Sequence, residues 1–283
     1  MNAVSPAVSP AVSAPAAGWR ASLALSFEGT AQRTVMRRQH NGPLLVQRAF
    51  YPEGDTCHTV LLHPPSGIVG GDSLDINVNC YSGSSALVTT PGATRFYRSE
   101  GLIAQQAVTI NLCGGSMEWL PMETIYFDGC NASQTTRIKL DRDSRYIGWE
   151  ISCFGRGEGE IPFNDGRASV KLAIDLDGTP LLHERLKVHG NTDIERLSGM
   201  RGATVSGTLL ACAPDFNVPF CLEQVRGILS PDEFALTGLD GLLVVRYLGT
   251  CSEKARNGFI KAWELIRPLA LQRAACIPRI WAT

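Results

Sequence analysis

Residues 169–190 read SVKLAIDLDGTPLLHERLKVHG. Val170, Leu172 and Ile174 alternate with polar or small neighbours, the period of a strand with one buried face. Asp177-Gly178 then supplies the left-handed positions of a tight turn, so 175–182 predicts a β-hairpin. The same texture continues on either side. SLALSFEG (22–29), TCHTVLLHP (56–64), LDINVNC (74–80), QAVTINLC (106–113) and TRIKLDRDSRYIGWEISCFG (136–155) are short alternating or β-branched runs, most of them separated by Gly, Asn, Asp or Pro turns. No amphipathic helix intervenes from Trp19 to about Gly207. That argues against an α/β parallel sheet and for a sandwich, barrel or β-solenoid.

The last third changes character. SPDEFAL begins with Ser230 as a candidate N-cap, Pro231 at the first helical position and Glu233 completing a capping box, so a helix is expected to start there. GLLVVRYLG (241–249) reads as a strand buried on both faces, and PFCLEQVRGIL (219–229) as a second helix. SEKARNGFIKAWELIRPLAL places Ala255, Phe259, Ala262, Ile266 and Leu269 at helical spacing, with Pro268 expected to end or kink the helix. The first 18 residues are a low-complexity Ala/Val/Ser/Pro repeat, expected to be a disordered tail. Residues 19–283 are expected to form one mainly β domain, layered as a sandwich or solenoid, with a small helical pair near the C-terminus.

Composition removes several function classes. The chain of 283 residues has a formal net charge of -1, and its pI is near 6.5. No basic field is present to hold nucleic acid or an anionic membrane. No apolar run approaches the roughly 20 residues of a membrane span. The N-terminus lacks the basic start and apolar core of a signal peptide. The nine Cys show no C-x-x-C spacing and read as small buried residues of a reducing compartment. Asn131-Ala-Ser133 is a glycosylation sequon without meaning in a cytosolic chain.

The glycine-rich stretch HPPSGIVGGDSLDI (63–76) resembles a phosphate cradle at first sight. It lacks the lysine of a P-loop and runs into a strand, so no helix dipole would face an anion. Its residues Pro64, Pro65, Gly67, Gly70 and Gly71 read as a stiff turn. No G-x-S-x-G elbow occurs. His183 and His189 would stand about 20 Å apart on one strand, too far to share an ion. TTPGATRFYRSEG (89–101) and MEWLPMETIYFDG (117–129) set arginines and carboxylates among aromatics. Such groups suit ion pairs, a polar interior that passes a hydrated cation, or a protein-docking face. A hydrolase or isomerase using Glu123 and His63 as acid and base is a further alternative.

Taken together, LLHPPSGIVGGD, TTPGATRFYRS, EWLPMETIYFDG, GLLVVRYLG and the terminal PRIW resemble the urease accessory protein UreD (UreH) family, in family order over about residues 20–281. Ser66 stands where the family usually has Gly, and Met122 where it usually has Gln. The resemblance implies a β-rich, solenoid-like fold with a helical pair. It implies a cytoplasmic, non-catalytic chaperone of nitrogen metabolism that takes part in metallocentre assembly. The implied partners are urease apoprotein, UreF and, through UreF, the GTPase UreG. Nickel insertion would proceed through an internal tunnel, with Ni²⁺ bound transiently and no tight cofactor or stable metal site. On that basis His63, Asp72, Glu123 and Glu150 are candidates for the nickel path. Arg95, Tyr97, Arg98, Trp263, Arg267, Arg279 and Trp281 are candidates for partner contacts. A pure adaptor that carries no ion is the remaining alternative.

Overall fold

A computed structural model describes residues 18–155 and 161–282. The expected tail, apart from Gly18, lies outside the described residues. The strands in chain order are β1 (Arg20–Gly29), β2 (Thr34–Asn41), β3 (Leu45–Val46), β4 (Cys57–Leu62), β5 (Ser73–Tyr81), β6 (Ser85–Thr89), β7 (Thr94–Phe96), β8 (Ala104–Cys113), β9 (Ser116–Leu120), β10 (Thr124–Tyr126), β11 (Asn131–Leu140), β12 (Arg145–Phe154), β13 (Arg167–Leu176), β14 (Thr179–His189), β15 (Val205–Cys212), β16 (Phe234–Leu239) and β17 (Leu242–Gly249). The helices are α1 (Gly190–Glu195), α2 (Val218–Arg226) and α3 (Ser252–Leu271). The chain is mainly β, as its alternating runs predict.

The strands form two sheets. The seven-stranded one is ordered β14-β13-β11-β8-β5-β1-β2, and the ten-stranded one β16-β17-β15-β12-β9-β6-β4-β3, with β7 and β10 beside its main path. Much of the pairing is parallel: β1, β5, β8, β11 and β13 run alongside one another in the first sheet, and β4, β6, β9 and β12 in the second. The absence of intervening helices in the sequence argued against an α/β parallel sheet but did not foresee parallel pairing. Parallel neighbours need a long crossover, and here a strand of the opposite sheet supplies it. The chain leaves β5 for β6, returns for β8, leaves for β9 and returns for β11. Antiparallel strands finish the ends, β2 on β1 and β14 on β13, and the described residues form no closed solenoid.

One core lies between the sheets. It takes Leu23, Ile76, Val108, Ile138 and Ile174 from the first sheet, and Val88, Met117, Tyr146, Leu210 and Val244 from the second. A second core covers the other face of the ten-stranded sheet, where Leu87, Ile147, Trp149, Leu209 and Val245 meet Phe259, Trp263 and Ile266 of α3. The ten-stranded sheet is therefore buried on both faces, which explains the continuous apolar run of β17.

The β13–β14 hairpin forms as expected, with Asp177 at φ 48° and Gly178 at φ 78°. The helix expected at Ser230 does not. Phe234 N donates to Ser230 O at 3.0 Å in a single turn, and the chain then pairs with β17 as β16. Phe234 enters the second core against Tyr247 and Phe259. That burial and the ladder outweigh a local cap signal, which is worth only about 1 kcal/mol. Helix α3 runs on through Pro268 and ends where Gln272 turns left-handed. All nine cysteines are free, six of them buried.

Candidate functional site

The inward phase of β8 and β11 carries a polar intrusion. Alternate positions that bury Val108, Ile110 and Ile138 also turn Gln106, Gln134 and Thr136 toward the other sheet. Gln106 and Gln134 are register partners. Across from them, Glu150 and Ser152 lie on the same face of β12 as Tyr146 and Phe154. The Thr136 hydroxyl donates to Glu150 Oε1, and Tyr126 donates to Gln134 Oε1 at 2.6 Å. Glu150 Oε2 and Gln106 Oε1 are shut off from solvent and have no partner. Burial pushes the Glu150 carboxyl up to about 7, opposed by the Thr136 hydrogen bond and the nearby Gln134 side chain.

Cavities flank this seam. One of about 70 Å³ is lined by Glu150, Ser152, Glu184 and Thr208. It shares Glu184, Leu186 and Thr208 with a wider hollow of about 910 Å³. There Glu184 of the first sheet accepts from Arg246 Nε of the second at 3.0 Å. At the other end a cavity of about 160 Å³ is lined by His63, Thr90, Arg95 and Gln106.

Of the four candidate path residues, His63 and Glu150 thus border opposite ends of the seam. Burial lowers the His63 pKa, with Asp72 opposing. Asp72 itself is committed to the backbone: Oδ1 accepts from Trp19 N at 2.8 Å and Oδ2 from Val69 N at 3.0 Å. Glu123 is half-buried beside β7, where its carbonyl accepts from Thr94 N at 3.0 Å. No direct hydrogen bond joins its side chain to His63.

Within 63–76, Ser66 N donates to His63 O at 2.8 Å, and Pro64 and Pro65 face solvent. A side chain at buried Gly67 would land on the Tyr97 ring, and one at Gly70 on Ser99. Gly71 takes φ 96°, which favours glycine. The stretch is a packed turn.

The candidate docking residues divide. Tyr97 is exposed and stacked on Phe127, Arg98 is exposed and paired with Asp128 at 3.3 Å, and Arg279 is exposed. Arg95 is half-buried. Trp263 and Arg267 are 0% exposed, so they cannot be the surface anchors the sequence suggested. Trp263 Nε1 donates to Glu118 Oε2 at 2.7 Å, and Arg267 forks onto Glu118 at 3.0–3.1 Å and onto Glu53 at 2.7–2.8 Å. Trp281 is half-buried. It packs on Trp149 and Trp263 and donates to Thr89 Oγ1 at 2.9 Å. These residues fasten the C-terminal segment to the ten-stranded sheet. The carboxylates of 117–129, Glu118 among them, suggested ion pairs with arginines, but no local signal names Arg267, 149 residues away, as the partner of Glu118. Gln106 and Gln134 had a signal, their period-two phase with the apolar positions of their own strands.

No described helix is long and apolar enough to cross a membrane. A family model described as UreD urease accessory protein matches residues 19–282. Among curated proteins, "Urease accessory protein UreD" of Dechloromonas aromatica (strain RCB) is 45% identical over 273 positions, covering 94% of this chain and 95% of that protein. The protein of the same name from Alcanivorax borkumensis is 42% identical over 276 positions, covering 94% and 93%. That from Azoarcus sp. (strain BH72) is 42% identical over 288 positions and is covered, like this chain, along its whole length. The chain belongs to the UreD urease accessory protein family.

Proposed function

We propose that the chain is a non-catalytic scaffold of urease maturation that binds urease apoprotein and UreF, reaches UreG through UreF, and passes Ni²⁺ between its two sheets. The observation that carries this reading is Glu150, an unpaired carboxylate oxygen inside a β core, flanked by Gln134, Thr136 and Ser152 and beside a cavity. An apolar core of this size has no structural need for such a group, and leaving it unpaired costs about 1–3 kcal/mol. Nickel favours imidazole and carboxylate donors, and a conduit must release what it binds. One carboxylate among neutral amides and hydroxyls is a weak site of that kind. His63 stands beside the opposite cavity as the nitrogen donor. Tyr97, Arg98 and Arg279, exposed arginines and an aromatic, are the docking anchors.

The test is co-expression of a urease operon with this chain, without it, and with Glu150→Gln. Nickel per urease active site is measured together with retention of UreF in a pull-down. The expected result is loss of nickel without the chain, and a several-fold fall with E150Q while UreF is still retained. Full nickel content in the absence of the chain would end the scaffold reading. Full nickel content with E150Q would leave an adaptor without ion passage.

A further inference from the structure

A second group of donor atoms lies on the opposite face of the ten-stranded sheet. Glu53, His58 and Cys276 each offer one ligand atom, and these atoms all lie within 4.8 Å of one another. They come from the turn before β4, from β4 itself and from the C-terminal segment. His58 faces away from the inter-sheet core, on the side covered by α3 and the segment after it, whereas Glu150 lies between the sheets. We propose that Glu53, His58 and Cys276 form a binding site for a late first-row divalent ion, with zinc as the reference, which staples the C-terminal segment to β4.

The donor chemistry supports this. Imidazole, carboxylate and thiolate together suit zinc, cobalt or nickel and disfavour calcium and magnesium. The groups are held and oriented. His58 is 5% exposed, and its Nε2 lies 2.6 Å from Glu53 Oε1. Arg267 fixes the carboxylate through both oxygens, Nη1 donating to Glu53 Oε2 at 2.8 Å and Nη2 to Oε1 at 2.7 Å, and Oε1 also faces the imidazole. Arg267 Nη1 also donates to Ala274 O, two residues before Cys276, and Arg273 forks onto Asp55 at 2.6–2.7 Å. The segment carrying the thiol is therefore pinned on its approach to the site. Metal donors at about 2.0–2.3 Å from a tetrahedral ion stand about 3.3–3.8 Å apart. The thiol thus has to close by no more than about 1 Å, and the Glu53–His58 contact of 2.6 Å to open by somewhat less than that.

Charge balances as well. Glu53 and a Cys276 thiolate neutralise a divalent ion, and Arg267 remains paired with Glu118. On binding, the Cys276 thiol proton leaves to solvent, and the ring proton of His58 that faces Glu53 is relocated from Nε2 to Nδ1. The imidazole binds neutral, with its proton on Nδ1. An apolar groove of about 540 Å³, lined by Phe50, Tyr51, His58, Ile277 and Pro278, gives the ion a way in. Three protein ligands leave a fourth position open. In the ion's absence the Glu53–His58 hydrogen bond closes the site.

The experiment titrates the reduced full chain with cobalt(II) and follows the thiolate-to-cobalt charge-transfer band in the near ultraviolet. Zinc competition and thermal melts run in parallel. The wild type is expected to show a saturable band that zinc abolishes, and a zinc-dependent rise in Tm. C276S should lose the band, and H58Q should lose affinity by about tenfold or more. C276A serves if C276S does not fold, with circular dichroism as the check. A band unchanged in both cysteine variants would place the ion on another of the nine cysteines and overturn the proposal. So would the absence of saturable cobalt or zinc binding by the folded wild type. Urease takes no part in the assay, so its outcome is separate from that of the nickel-delivery test.

Discussion

Glu118 and Glu150 are two carboxylates on one sheet, and they face opposite cores with opposite provision. Glu118 is 1% exposed and receives Trp263 and a forked Arg267. Burial raises its pKa, and the hydrogen bonds and charge of Arg267 offset part of that. Burial also disfavours the charge on Glu53, but the hydrogen bonds from His58 and Arg267 outweigh it and hold that carboxyl at about 2. Removing the shared cation leaves the buried Glu118 carboxyl without a counter-charge and the half-buried Glu53 with His58 alone, so Arg267→Met is expected to destabilise the fold by about 3–5 kcal/mol in urea unfolding. Glu150 has no cation. Its folded pKa of about 7 lies above the usual 4.5, so the folded state holds the proton more tightly than the unfolded chain. Its contribution to stability is present in full below about 4.5 and is lost as pH rises through about 7. The difference in unfolding free energy between wild type and E150Q, measured across that window, should shift in favour of E150Q by about 1–3 kcal/mol at the alkaline end.

At the level of elements, α3 and the segment after it are read most directly through Trp281. Its ring lies 5.6 Å from Trp149 and 5.8 Å from Trp263. Trp281→Ala should cost about 2–3 kcal/mol, less than for a fully buried tryptophan because it is only half-buried. Trp281→Phe should recover most of this, and denaturant midpoints of the two variants compare them. The hairpin at Asp177-Gly178 and helix α3 were legible because turn chemistry and a 3.6-residue period are local signals. The segment after Ser230 was not. Its capping box is satisfied within one turn, while Phe234 and the β17 ladder, elements the local window cannot see, decide that the chain continues as β16.

For the whole molecule, passage of strands between the sheets explains how parallel pairing arises without helices, and it leaves a shared interior whose polar residues come from β8, β11 and β12. If that interior is the nickel path, Gln134→Leu should lower nickel content of co-expressed urease several-fold while the purified variant stays folded by circular dichroism. Unchanged nickel content in a folded variant would remove Gln134 from the path. Glu150 was a candidate in the sequence only through the family resemblance. That it lies beside Gln134, and that Asp72 is spent on the Trp19 and Val69 amides, depends on which strands become neighbours.

The sequence by itself determined the β character, the hairpin, the long C-terminal helix and the family, because turn residues, periodicity and ordered motifs act over a few neighbouring positions. Only the tertiary structure decided that Arg267 and Trp263 serve the core instead of a partner, that Glu118 is their counter-charge, and that Glu53, His58 and Cys276 meet. Those contacts join residues up to 223 positions apart. The free energy of a buried charge depends on what lies across the space it occupies, which no local stretch of chain records.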